Sequence, residues 1–210
     1  MYQLLNFTGI TKLILLFILN LFCSCGNNTS LETRRPTLTD FEIGEKWTWK
    51  WQRTINDKVM GEGVDVKEVV DYNGDLGFYF GNSRHDTIPA ATMVNGEEGE
   101  NPFHDWPLKV GKTWKHIEHW ENESGGKGIS DRNVKIISYE QITVEAGTFW
   151  AYKIKYEGTI ENLSTGGKAE VTDFWWYSPL LKEYIMHTQD DGYGIYTSEL
   201  IAYSDPQKTK

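Results

Sequence analysis

Five histidines, His85, His104, His116, His119 and His187, are the side chains here whose ordinary pKa suits them to proton transfer or metal binding near neutral pH. His116-x-x-His119 is the one close pair. In an extended strand, residues three apart point to opposite faces, so this pair cannot chelate one ion without a bulge. Asp71-x-Asn73-x-Asp75 begins like a calcium loop and then departs from it, with Leu76 at the sixth position and Asn82 at the twelfth, where glycine and glutamate are needed. Nucleophile elbows, phosphate loops and His-Glu metal helices are absent, and Lys127-Gly128-Ile129-Ser130 lacks the strand-to-helix setting of a phosphate site. Nothing in the sequence brings two carboxylates together for glycoside hydrolysis. The expectation is a non-enzymatic protein with no cofactor and no metal.

The thiols point elsewhere. Cys23 and Cys25 are the only cysteines, one residue apart at the end of an apolar run. A disulfide between them would be strained, and two thiols alone leave a metal short of ligands. Lys12 followed by the apolar stretch 13–22 reads as a secretory signal, and the run is too short for a membrane span, which takes about 20 apolar residues. Signal cleavage favours a small residue before the cut; Ser24 precedes Cys25, whereas bulky Phe22 precedes Cys23. Phe22-Cys23-Ser24-Cys25-Gly26 therefore resembles a bacterial lipobox. That resemblance implies cleavage after Ser24, a diacylglyceryl thioether and an amide-linked chain (palmitate) on Cys25, and location at the outer membrane. At about 0.8 kcal/mol per buried CH₂, several chains anchor a protein durably where one would not.

The 186 residues that follow position 24 carry a net charge of −10 and no basic stripe, which argues against nucleic-acid binding. They hold all nine tryptophans and 25 aromatic residues, without long amphipathic helical stretches. Short aromatic, β-branched segments between glycine-rich turns predict an all-β fold. The expected organisation is a signal peptide at 1–24, a lipidated N-terminus and linker at 25–40, one β domain at 41–204 and a polar tail at 205–210. Strands are expected at 45–55, 60–72, 76–80, 114–121, 132–139, 141–145, 148–160, 169–177, 183–189 and 193–203, with loops at 96–102 and 123–128. Asn73-Gly74 is a strong hairpin signal, and Asp190-Asp191-Gly192 reads as turn chemistry. Phe41-x-Ile43-Gly44-x-x-Trp47 and Leu108-x-Val110-Gly111-x-x-Trp114 share one pattern 67 residues apart, more simply a shared local solution than a true repeat. Asp86-Thr87-Ile88 resembles a short bacterial O-glycosylation motif.

Period-2 spacing puts Trp47, Trp49 and Trp51 on one strand face, and Trp150, Tyr152, Ile154 and Tyr156 on another. The second set forms an apolar stripe expected to line the buried, concave face. These tryptophans, with Trp175 and Trp176, most simply fill a core. If the β cavity is incompletely filled, Trp47, Trp49, Trp51, Trp150, Tyr152 and Tyr156 are the candidate residues for an apolar ligand. If the indoles are exposed instead, they suit a glycan-binding module or a weak glycoside hydrolase.

Pro107-Leu108-Lys109-Val110-Gly111-Lys112-Thr113-Trp114, Val144-Glu145-Ala146-Gly147-Thr148-Phe149-Trp150-Ala151-Tyr152-Lys153-Ile154, Trp176-Tyr177-Ser178-Pro179 and Ser198-Glu199-Leu200 follow one another in an order that resembles the TapB-like group of exported bacterial proteins of unknown function. The resemblance implies a single antiparallel, strongly curved sheet or partly closed barrel of about nine or ten strands. Such a sheet is distantly similar to the half-barrels of lipoprotein carriers, although this chain lacks their plugging helix.

Substituting Cys25→Ser is expected to abolish palmitate labelling and release the protein from membranes, while Cys23→Ser does neither. Labelling that survives Cys25→Ser would remove the lipobox reading.

Overall fold

Alternating burial along the chain, with Trp47 and Trp49 inside and Thr48 and Lys50 outward, marks strands throughout. The structure, a computed structural model, describes residues 33–81, 86–95, 100–122 and 124–206. Cys23, Cys25 and the signal segment lie outside the described residues. Among the described residues there are ten strands: β1 (Lys46–Ile55), β2 (Lys58–Tyr72), β3 (Asp75–Phe80), β4 (Asp86–Pro89), β5 (Thr113–Glu121), β6 (Lys127–Val144), β7 (Gly147–Asn162), β8 (Gly167–Ser178), β9 (Glu183–Asp190) and β10 (Ile195–Ser204). A short helix α1 (Ala90–Asn95) and a 3-10 turn at Leu38–Asp40 complete the elements.

All ten strands form one open antiparallel sheet in the order β4-β3-β2-β1-β10-β9-β8-β7-β6-β5, as the all-β expectation requires. β1 to β4 walk to one edge. A 23-residue connection then carries the chain to the opposite edge, and β5 to β10 walk back until β10 pairs with β1. The sheet is curved. Lys67 on β2 and Glu183 on β9 would stand about 14 Å apart in a flat sheet, three strand spacings away, yet their side chains pair at 2.5 Å. The indole N–H groups of Trp47 and Trp49 likewise reach across to donate to the carbonyls of Leu181 and Tyr184, both at 3.0 Å.

Turn chemistry behaves as its residues dictate. Asn73 and Gly74 adopt φ of 58° and 89°, the positive pair of a tight hairpin turn, and close β2 onto β3. Asp191 fastens the β9–β10 turn by accepting from the N–H groups of Tyr193 and Gly194, at 3.1 and 3.0 Å. The doubled pattern folds twice in the same way. Gly44 donates to Val69 O and Val69 to Glu45 O, both at 2.8 Å; Gly111 donates to Ile136 O at 2.9 Å and Ile136 to Lys112 O at 3.0 Å. Both glycines sit at positive φ, 93° and 87°, where other residues are strained.

Three expectations need correction. β4 and α1 were not expected, because a four-residue strand ending at Pro89 and followed by two alanines carries too little periodicity to register. The segments expected as a loop from 123 and strands at 132–139 and 141–145 are dominated by one strand, β6, which continues through a bulge between Ile136 and Ser138. The third correction concerns Trp150, which is 50% exposed, whereas Tyr152, Ile154 and Tyr156 of the same expected stripe are buried. Past the bulge the long β6–β7 hairpin reaches toward β10, where Ala146 N–H donates to Leu200 O at 3.2 Å. There the alternate residues turn inward: Ala151 is fully buried, Phe149 packs on the core, and Trp150 is left outside stacked on Tyr139.

The interior has two clusters. One gathers Trp47, Trp49, Val69, Phe78, Ile185 and Leu200; the other gathers Val134, Ile136, Tyr152, Ile154, Tyr156 and Tyr177, capped by Leu108 from the connection. Trp47→Ala should cost about 3–5 kcal/mol of stability, the usual penalty for deleting a large core aromatic. Trp150→Ala should cost about 1 kcal/mol or less, as a surface change does. Chemical denaturation of the two variants checks the assignment; equal shifts would contradict it.

Candidate functional site

Where the two clusters approach on the inner face, their rings do not close the gap. A cavity of about 290 Å³ remains. Phe78 and Lys67 from β3 and β2 form one wall, and Trp175, Tyr177 and Tyr184 from β8 and β9 form another. The roof comes from three non-strand pieces: Pro36 and Phe41 before β1, Met93 and Val94 of α1, and Phe103 and Trp106 of the connection.

Each roof piece has a fastening. Arg34 grips Asp40 with two parallel hydrogen bonds of 2.7 and 2.6 Å, and this guanidinium holds the Asp40 carboxyl down at about 2. Leu108 N–H donates to Thr33 O at 3.1 Å, tying the segment before β1 to the connection. Phe103 stacks on Tyr156 with centroids 4.9 Å apart and meets Trp175 edge-on at 5.5 Å, and the Tyr156 hydroxyl donates to Phe103 O at 2.6 Å.

The lysine charges at the walls are compensated. Lys67 pairs with Glu183 and lies over the Phe78 ring at 4.2 Å; Lys182 pairs with Glu45 at 2.5 Å and lies 5.2 Å from the Phe41 centroid. Burial, then the neighbouring Glu183, push the Tyr184 phenol pKa well above its ordinary value, so this wall stays uncharged at physiological pH. The cavity thus presents mostly aromatic surface and ion-paired lysines, with the Arg35 guanidinium also in its lining, which suits a mostly apolar ligand.

None of the six aromatic candidates read from the sequence lines this cavity. Trp47 and Trp49 are buried in the first cluster and Tyr152 in the second. Trp51 stacks on Tyr196 and borders a separate groove of about 600 Å³ with Lys50, Gln52 and Glu62. Tyr156 borders a separate cavity of mixed aromatic and polar lining, and Trp150 lies outside. Of the residues that do line the apolar cavity, Phe103 and Trp106 carried no periodic signal because they sit in an irregular connection, and nothing local marked Lys67 for burial. The His116–His119 pair is split as expected, with His116 opposite Arg132 and His119 opposite Ile129 on alternate faces of β5. Among the described residues no cluster of three or more His, Cys, Asp and Glu is arranged to hold a metal, and no helix is long and apolar enough to cross a membrane.

No family model matches the chain, and no curated protein matches it. Solved structures give partial overlaps. A protein named as exported, with a YmcC-like fold, from Bacteroides fragilis NCTC 9343 is 14% identical with a TM-score of 0.45, covering 78% of this chain and 97% of its own. A protein named as a lipoprotein from Parabacteroides distasonis ATCC 8503 is 14% identical with a TM-score of 0.43, covering 78% and 96%. The hypothetical lipoprotein YmcC from Escherichia coli K12 is 10% identical with a TM-score of 0.39, covering 76% and 85%. Overlaps of this size do not establish a shared fold, and the functional reading rests on this chain's own residues.

Proposed function

We propose that this chain is a lipid-anchored lipoprotein of the bacterial outer membrane, related to the TapB-like group, that binds a small apolar ligand without catalysing a reaction. The lipobox-like string ending at Cys25-Gly26 and the apolar run before it support the anchor. The order of its strand-and-turn motifs supports the kinship. One observation carries the ligand reading: the inner-face cavity of about 290 Å³, walled by aromatic rings with its lysines already ion-paired. Cavities near this size that are mostly apolar with a few fixed polar groups suit small ligands.

The glycan alternative, stacking on exposed tryptophans, needs several indoles on one outer surface. Of the nine tryptophans only Trp150 is exposed. The apolar cavity is therefore the stronger reading.

The test is a fluorescence titration of the full chain with N-phenyl-1-naphthylamine, beside the variant Met93→Trp. Met93 is 40% exposed on α1 at the cavity roof, so a larger side chain there can fill the space without disturbing the sheet. Uptake of the probe by detergent is common to both proteins. Saturable binding by the parent, weakened about tenfold or more in Met93→Trp at an unchanged unfolding midpoint, is the expected result. Absence of saturable binding, or equal binding by both folded proteins, would overturn the ligand reading.

A further inference from the structure

Phe103 and Trp175 have a second cavity on their other side, of about 240 Å³, with a different chemistry. Strand register assembles it. On β5 and β6, Glu118 stands opposite Ser130 and Trp120 opposite Gly128; Tyr156 of β7 stands opposite Asp173 of β8, and Asp173 opposite Gln189 of β9. Residues directly opposite share a face, so five strands contribute to one inner row. A side chain at Gly128 would collide with the Trp120 indole, so the glycine lets that ring lie against the sheet.

At the centre lies Arg132, 4% exposed. Its Nε donates to Ser130 Oγ at 2.9 Å and its Nη1 to Val171 O at 3.0 Å. Nη2 lies 3.6 Å from Asp173 Oδ2, a charge contact longer than a hydrogen bond. A guanidinium has five N–H donors, so this one, which lines the cavity, has donors beyond these two hydrogen bonds. Asp173 Oδ1 accepts from Gln189 Nε2 at 2.8 Å and lies 3.0 Å from His187 Nε2. The His187 ring stacks on Trp175 with centroids 3.5 Å apart and planes 11° apart, which fixes the indole as a wall. Trp120 and Tyr156 add further aromatic walls, and Glu118 is exposed at the rim.

The charge balance selects the ligand. Two carboxylates, Glu118 and Asp173, stand beside the Arg132 guanidinium and the His116 imidazole, so the lining carries no net positive charge to hold an anion. Hydroxyl groups both donate and accept, matching Arg132 donors and Glu118 acceptors together. Aromatic faces are electron-rich and attract the polarised C–H faces of a hydroxylated ring. We infer that this cavity is a binding site for one neutral sugar unit, held by Arg132 and Glu118 against Trp120 and Trp175. It is separate from the apolar cavity and does not depend on a ligand there.

Saturation-transfer NMR of the full chain with D-glucose, D-galactose and N-acetyl-D-glucosamine, and with their β-linked disaccharides, tests this. At least one should bind, and Trp120→Ala and Glu118→Gln should each weaken it about tenfold or more at an unchanged unfolding midpoint. Glu118 is exposed and Trp120 partly exposed near the end of the edge strand β5, so folding is retained. Binding should persist in Trp150→Ala. No binding by any of these sugars, binding unaffected in both cavity variants, or loss in Trp150→Ala alone would overturn the site. So would displacement of the bound sugar by inorganic phosphate, or preferential binding of benzylamine, which would mark an ion site instead.

Discussion

A chain that lays down strands to one edge of a sheet and resumes at the opposite edge must carry its connection across a face. Here that connection runs between β4 and β5, and the inner face depends on it. Leu108 caps the second core cluster, and Phe103 and Trp106 cover aromatic rings that would otherwise face water. Because an irregular segment cannot match every ring beneath it, packing is incomplete on both sides of Phe103. The two cavities are the consequence, and their contrast follows from the strands below them: aromatic and ion-paired on one side, hydrogen-bonding on the other.

Curvature makes this arrangement possible. Trp47 and Trp49 bury their rings only because the indole N–H groups find carbonyls across the curled sheet. Leaving such a buried donor unsatisfied costs about 1–3 kcal/mol. Lys67–Glu183 and the Lys182–Glu45–Tyr203 group impose the same demand more strongly, since a buried charge must stay close to its partner. Such pairs are weak sources of net stability, because desolvation offsets most of their attraction. Their effect is geometric: they are satisfied only when β2 and the turn before β1 face β9.

The strands and tight turns were legible because they are encoded within a few residues. Alternation at Trp47-Thr48-Trp49-Lys50 and the Asn73-Gly74 turn require no distant partner. Inward placement of Tyr152, Ile154 and Tyr156 followed from the same period. Trp150 broke the pattern because burial at a hairpin tip depends on which element the tip meets, and a bulge and the reach to β10 decide that. The cavities were illegible for a related reason. Arg132, Asp173 and His187 come from three strands separated widely in sequence, and only their registers align them. Lys67 and Glu183 carry no local sign that they will be buried together.

The connection lies against the inner face, with Phe103 between the cavities. Nuclear Overhauser contacts from the Phe103 ring measure this directly. Cross-peaks from Phe103 to the rings of both Tyr156 and Trp175, whose centroids lie 4.9 and 5.5 Å away, are the predicted result. A Phe103 ring with no contact to either, in a protein whose β6–β7–β8 ladder is intact, would contradict it.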